Sequence, residues 1–198
     1  MTTIFRPAIS LFILLTLITG IAYPFALTAI GQAFFSKKAN GSLISENGKV
    51  VGSQLIGQQF SDAKYFWGRP SATTPAYNSV ASGGSNLGPS NPALLEQVKQ
   101  RVIAIQTAHP GNAQPIPTDL VTASGSGLDP DISIAAAYYQ AARVAQARNL
   151  PLENIHALIE RLQHKPVSGL STLSGLWGEP SINVLQLNLA LDGNVAWP

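Results

Sequence analysis

Residues 7–36 read PAISLFILLTLITGIAYPFALTAIGQAFFS and carry no charged side chain; Arg6 precedes the run and Lys37-Lys38 follow it. As a helix it would be about 45 Å long, against a hydrocarbon core of about 30 Å. Lipid offers the backbone no hydrogen-bond partner, and a helix satisfies its own. The run therefore predicts one transmembrane anchor helix over residues 7–35. Pro24, after Tyr23, removes a helix bond and predicts a kink. Gly20 and Gly31 are small enough to admit a neighbouring helix. A cleaved signal sequence is the rival, since the start is basic and the middle apolar. The run is longer than an apolar signal region of about 7–15 residues, and Ala26 and Ala29 miss the A-x-A spacing. Basic residues near the two ends do not decide the orientation: Arg6 and the α-amine stand on one side, Lys37 and Lys38 on the other.

Outward from the anchor, residues 39–198 suffice for one domain of ordinary size. Only 11% of the 198 residues are charged and 45% are apolar, against about 25% charged in a usual soluble domain. Ser, Thr, Asn, Gln, Gly and Pro take up the difference. This composition excludes a coiled coil, an acidic disordered tail and a supercharged nucleic-acid binder. The net charge of +2 comes from the anchor flanks. Three of the twelve Lys and Arg are Arg6, Lys37 and Lys38, which leaves nine against ten Asp and Glu. With no basic face to follow phosphates, nucleic acid is not expected as a partner. Zero cysteines exclude a disulfide scaffold, a thiolate nucleophile and a cysteine-ligated metal.

Residues 39–42 form a short polar linker. Residues 48–60, GKVVGSQLIGQQF, bounded by Asn47-Gly48, predict a strand. Residues 66–92, FWGRPSATTPAYNSVASGGSNLGPSNP, hold eight Gly or Pro and one charge, Arg69. Tyr65, Phe66, Trp67 and Tyr77 distinguish this stretch from a flexible linker. They predict a long ordered loop held by aromatic anchors, of a length that is usually functional or disordered. Asn91 and Pro92 suit a helix start. Leu94, Leu95, Val98, Val102 and Ile105 recur at helical spacing, and His109-Pro110-Gly111-Asn112 ends that helix. Residues 115–117 read as extended and 124–128 as a small-residue loop.

Asp129-Pro130-Asp131 is expected to open the next helix, with Asp131 as N-cap. Its alanines between 135 and 147 allow close approach of a neighbour, and Asn149 suits a left-handed closure. Pro151 starts another helix with Leu152, Ile155, Leu158, Ile159 and Leu162 as its apolar stripe. Arg161, His164 and Lys165 crowd its end and Pro166 stops it. From Gly175 onward, Leu185, Leu187, Leu189 and Leu191 alternate with Gln186, Asn188 and Ala190, which predicts a half-buried strand. The fold class expected is a mixed α/β, or α+β, body tethered by one N-terminal transmembrane helix, with no internal repeat.

Catalytic and ligand motifs are scarce. His109, His156 and His164 are scattered without an acid at metal spacing, so no metal site is expected. There is no Gly-rich loop ending in Lys-Ser/Thr and no G-x-S-x-G elbow. Ser61-Asp62-Ala63-Lys64 matches S-x-x-K, which on a helix places an amine beside a hydroxyl it could activate. A membrane-anchored Ser/Lys hydrolase using Ser61 and Lys64 is therefore one alternative, although no Lys-Thr-Gly follows. An anchored structural or sensory domain is another. Leu173-Ser174-Gly175 is similar to the start of a transporter nucleotide loop, but reads more simply as a turn before Trp177.

Several separated blocks carry a resemblance. Residues 65–72, YFWGRPSA, continuing to SGGSNLGPSNPAL at 82–94, DLVTASGSGLDPDIS at 119–133 and GEPSINVLQLNLALD at 178–192 resemble KdpC, a family of potassium-transporting ATPase subunits. The anchor and the length fit as well. Three positions depart from the family pattern as we read it: Asp131 where His is more frequent, Ile134 where Pro is common, and Asn149 where Gly is common. Asp131 alters the charge of any partner contact there.

The resemblance implies a non-catalytic accessory subunit of a high-affinity, ATP-driven potassium import complex. Its partners would be KdpA, the potassium-translocating and channel-like component, KdpB, the P-type pump, and the small KdpF, together with membrane lipid. It implies no catalytic residue and no cofactor of its own, with ATP and potassium handled by the complex. It places the N-terminus in the cytoplasm and the body outside the plasma (inner) membrane. Two roles are associated with the family. One is a catalytic chaperone that raises the ATP affinity of the pump. The other is a cap or filter at the outer mouth of KdpA. ATP is cytosolic, so a body outside could reach it only through the anchor or a shared conformational equilibrium. For the outer-mouth role, the low-charge loop 65–92 is the expected contact surface. Tyr65, Trp67, Arg69 and Tyr77 are its anchors, since aromatics and Arg dominate hot spots. Asp129 and Asp131 could attract potassium weakly, or act simply as caps.

Overall fold

A computed structural model describes residues 2–46, 48–164 and 179–193. The chain divides into two compact units, Met1–Leu43 and Ile44–Pro198. In the first, helix α1 (Thr2–Leu17) passes through a π turn (Ile18–Ala22) into α2 (Tyr23–Ala39). The described span Ile4–Ala39 is long and apolar enough to cross a membrane. The expected irregularity lies just before the proline. Pro24 has no N–H for the carbonyl of Gly20, and the wider turn is closed instead by Tyr23 N–H donating to Ile18 O, a five-residue step. A second departure from helical dihedrals falls at Phe35. The hydroxyls of Thr19 and Thr28 donate to the carbonyls of Leu15 and Pro24, each at 2.8 Å, so neither is left unsatisfied along an apolar surface.

The second unit mixes helix with short strands, as expected. β1 (Leu43–Glu46) pairs with β2 (Lys49–Ser53), and β3 (Asp131–Ser133) pairs antiparallel with β4 (Ser181–Asn183), Ile132 facing Ile182. The helices are α3 (Pro92–Ala108), α4 (Ile134–Arg148), α5 (Leu152–Leu162) and α6 (Val184–Leu191). The core lies where α4, α5, α6 and the β3–β4 pair meet. It is built from Ala136, Ala137, Ala141, Val144, Ile155, Ile159, Ile182 and Leu187, with Phe66 inserted from the loop. The alanines of α4 let α5 approach closely, and Asn149 closes α4 at φ 54°, ψ 41°.

Four local expectations are corrected. The strand expected over 48–60 is confined to Lys49–Ser53, because residues 57 onward bond elsewhere, Gly57 N–H donating to Leu128 O at 2.8 Å. Asp131 is not a helix cap but the first residue of β3. Ser133 caps α4 instead, its Oγ accepting from Ala136 N–H, while Asp119 holds Ser133 through its N–H and hydroxyl at 2.7 and 3.1 Å. Residues 184–191 form a helix, not a strand, capped by Asn183, whose side chain accepts from Gln186 N–H. The period-two reading took Asn188 as solvent-facing, yet it is 1% exposed. Of the stripe expected on α3, only Ile105 is buried; Asn91 caps that helix as anticipated. Asn47, Lys165, Pro166, the turn at 173–175, Trp177 and the start of the expected terminal strand lie outside the described residues.

Candidate docking site

The loop from Gly57 to Asn91 has no regular strand or helix, yet it is fastened throughout its first half. Two buried amides grip consecutive peptides. Asn188 exchanges two hydrogen bonds with the backbone of Phe66, at 2.8 and 3.0 Å. Gln140 does the same for Trp67, at 2.8 and 3.1 Å. Each side-chain amide thus supplies the donor and acceptor that a neighbouring strand would otherwise provide. Phe66 is fully buried between these two grips.

Arg143, buried on α4, reinforces them. Its Nη2 donates to Gln140 Oε1 at 2.8 Å, its Nε to His109 Nε2 at 3.0 Å and its Nη1 to Ala63 O. Its guanidinium lies 4.5 Å from the Trp67 ring centre. Burial lowers the Arg143 pKa to about 10. It also lowers that of His109, with the Arg143 charge adding to the effect and a backbone bond to Ile105 opposing it. His109 Nδ1 sits 2.8 Å from Ile105 O, and Nε2 accepts from Arg143, so the ring is held as the neutral Nδ1–H tautomer.

The turn of Tyr77 closes the next segment. Tyr77 adopts φ 59°, its N–H donating to Ser71 Oγ at 3.0 Å and its hydroxyl to Arg69 O at 2.6 Å. Its ring covers Gly57 and Gly68, where a side chain at either position would collide with it. Burial, then the nearby Asp129 charge, push its pKa up to about 12. Arg69 Nη1 bonds Asp129 Oδ2 at 2.9 Å and Nη2 reaches Ala123 O at 3.4 Å, whereas its Nε is buried without a hydrogen-bond partner.

Five of the six residues singled out from the sequence gather around two adjoining clefts. One, of about 190 Å³, is walled by Phe60, Trp67, Arg69, Tyr77, Arg101 and Leu120. The other, of about 220 Å³, is lined by Arg69, Asp119, Asp129, Asp131 and Glu179. Arg69 belongs to both. Asp131 is engaged by Ser181 Oγ at 3.1 Å and Asn183 Nδ2 at 3.2 Å, and Asp129 Oδ1 accepts from Asp131 N–H. Tyr65 stands apart: its hydroxyl donates to Asp192 Oδ2 at 2.9 Å, beside the Arg148–Asp192 ion pair of 2.7 Å. Beyond these anchors the loop tip is open, and Val80 is 92% exposed.

Ser61 and Lys64 lie exposed on a turn rather than one turn apart on a helix. The Lys64 ammonium is 3.7 Å from Asp62 Oδ2 and 5.2 Å from the Tyr65 ring centre. The helical geometry that S-x-x-K chemistry needs is therefore not present. Among the described residues, no three His, Asp or Glu are placed to hold a metal ion. A larger cleft, of about 470 Å³, runs past His109, Tyr138, Arg143 and His156 and contains none of the residues chosen from the sequence. Sequence reading also missed Gln140, Arg143 and Asn188. Their signal is present but faint: polar side chains on helix faces whose other members are Ala, Val and Leu.

A family model described as the K+-transporting ATPase c chain, KdpC, matches residues 5–193. The potassium-transporting ATPase KdpC subunit of Variovorax paradoxus (strain S110) is 57% identical over 197 residues, covering 99% of both chains. That of Methylococcus capsulatus (strain ATCC 33009 / NCIMB 11132 / Bath) is 58% identical over 189 residues, covering 95% of this chain and 96% of the other. With the family model matching residues 5–193 and relatives of this identity covering nearly the whole chain, the chain belongs to the KdpC family of K+-transporting ATPase subunits.

Proposed function

We propose that this chain is the membrane-anchored accessory subunit of an ATP-driven potassium importer. It holds no catalytic centre of its own. Its body lies outside the plasma membrane and docks through the loop 65–92 onto the potassium-translocating KdpA near its outer mouth. There it stabilises the assembly with KdpA, KdpB and KdpF. ATP and potassium are handled by those partners. The observation that carries the reading is the loop itself. Its first half is gripped by Asn188, Gln140 and Arg143, while its tip stays exposed at Val80. A rigidly held loop loses little conformational freedom when it docks. In this reading Trp67, Arg69 and Tyr77 shape the surface as much as they touch the partner.

A second reading is favoured by the anchor. The π turn at Ile18–Ala22 is a local weak point in a helix. A chaperone-like influence on ATP affinity in the pump would travel through that helix, since it alone reaches the cytosolic side. The experiment is purification of the tagged full chain from membranes, with protease treatment of intact spheroplasts. Co-purification of a P-type pump and cleavage of the body from outside are expected. A body shielded until lysis, or a chain recovered without a pump, overturns the reading.

A further inference from the structure

Arg101 lies midway along α3, partly buried, at the wall of the cleft that also holds Arg69, Trp67 and Tyr77. Its single described hydrogen bond runs from Nη1 to Val121 O at 3.1 Å. The described ion pairs are Lys64–Asp62, Arg69–Asp129 and Arg148–Asp192, and none of them supplies a carboxylate to Arg101. A partly desolvated cation satisfied by one carbonyl retains unused donors in a planar fork. Arg69, which lines the same cleft, has its Nε buried without a hydrogen-bond partner. The asymmetry between the two clefts is informative. The acidic one already has Arg69 against its carboxylates, while the one beside it is lined by Arg69 and Arg101 and by no acid.

We propose that this second cleft receives a carboxylate side chain, Asp or Glu, of the partner on which the loop docks, with Arg101 as the residue that binds it. This rests on the docking reading above and names the partner's chemistry at that site. The cleft is about 190 Å³, room for one such side chain. Phe60, Trp67 and Tyr77 wall it with rings. The incoming carboxylate would thus be shielded from water, where an Arg–carboxylate fork is strongest. Arg69 stays with Asp129 and adds its positive field without changing partners.

Position 101 can be made to report its own neighbour. Arg101→Lys keeps the positive charge and offers a primary amine. In the purified complex, a water-soluble carbodiimide converts a nearby carboxyl to an O-acylisourea. The amine displaces the urea by-product, leaving an amide bond between the two chains. The expected result is a cross-link from position 101 to an Asp or Glu of another chain of the complex, located by peptide mass spectrometry. Arg101→Ala is expected to lower the amount of pump that co-purifies at least tenfold. A link found only within this chain, or none while other lysines of the complex react, overturns the proposal. So does full pump recovery with a folded Arg101→Ala chain. Should Arg101→Ala fail to fold, the Arg101→Lys cross-link decides alone. Failure of the docking reading looks different, because the unsubstituted chain would then bring down no pump.

Discussion

Asn188 of α6 embraces the peptide of Phe66 from a distance of 122 residues in sequence, accepting from its N–H at 2.8 Å and donating to its carbonyl at 3.0 Å. Both partners are buried. The pair ties the start of the long loop to the last described helix and explains why a polar residue stands on an inward face of α6.

Replacing Asn188 by Leu leaves a buried donor and acceptor without partners, each costing about 1–3 kcal/mol. The purified full chain is expected to unfold at a clearly lower temperature, with the loop cut first in limited proteolysis. Unchanged melting and unchanged cleavage order would show that the loop is held by other means.

Phe66 is fully buried in the core cluster while Val80 is 92% exposed on the same loop. Phe66→Ala should destabilise by about 3–5 kcal/mol, and Val80→Ala should be neutral to folding within about 0.5 kcal/mol. Denaturant melts of both variants compare the two positions. Equal effects would contradict the inward seating of Phe66.

Gly57 faces the Tyr77 ring, and a Cβ there would also come within 2.6 Å of Asp129 O. Gly57→Ala must push backbone aside, with a cost of about 1–3 kcal/mol. The expected signature is loss of Tyr77 burial, read as a tyrosine that titrates nearer its usual pKa. A variant that melts and titrates like the parent would refute the close approach.

His109 has its pKa lowered by burial and by Arg143, so the folded state holds fewer protons than the unfolded one below the usual histidine pKa of about 6.5. Stability is accordingly full above that value and falls as pH drops from it towards the folded pKa. Each unit of lowering corresponds to about 1.4 kcal/mol. Thermal melts of the detergent-solubilised chain between pH 7.5 and 5 should show this decline, and His109→Gln should flatten it. A parallel decline in both proteins would assign the acid sensitivity elsewhere.

Tyr77 acts at the other end of the scale. Its pKa is raised to about 12, above the usual value near 10. The stability it contributes is present below pH 10 and is lost as pH rises from there through 12. Ultraviolet titration should find one tyrosine ionising last in the parent and missing in Tyr77→Phe.

The long N-terminal apolar helix was legible from residues 7–36, because exclusion of charge over that length is a property of local composition. The caps at Asn91 and Asn149 were legible for a similar reason: each depends on the conformational preference of one residue and its neighbours. Tertiary structure decided the rest. Leu185–Leu191 alternates like a strand, yet it folds as a helix capped by Asn183, with Asn188 turned inward to bond both backbone groups of Phe66. Asp131 looked like a cap until its strand partner Asn183, 52 residues away, claimed its carboxylate. Arg101 was unremarkable as one cation on a helix; its lack of a carboxylate beside Arg69 and Trp67 exists only once the loop has folded onto α3. Local sequence fixes what depends on nearby residues and solvent. Partners distant along the chain must be brought together before the charge and hydrogen bonding of a buried group have any meaning.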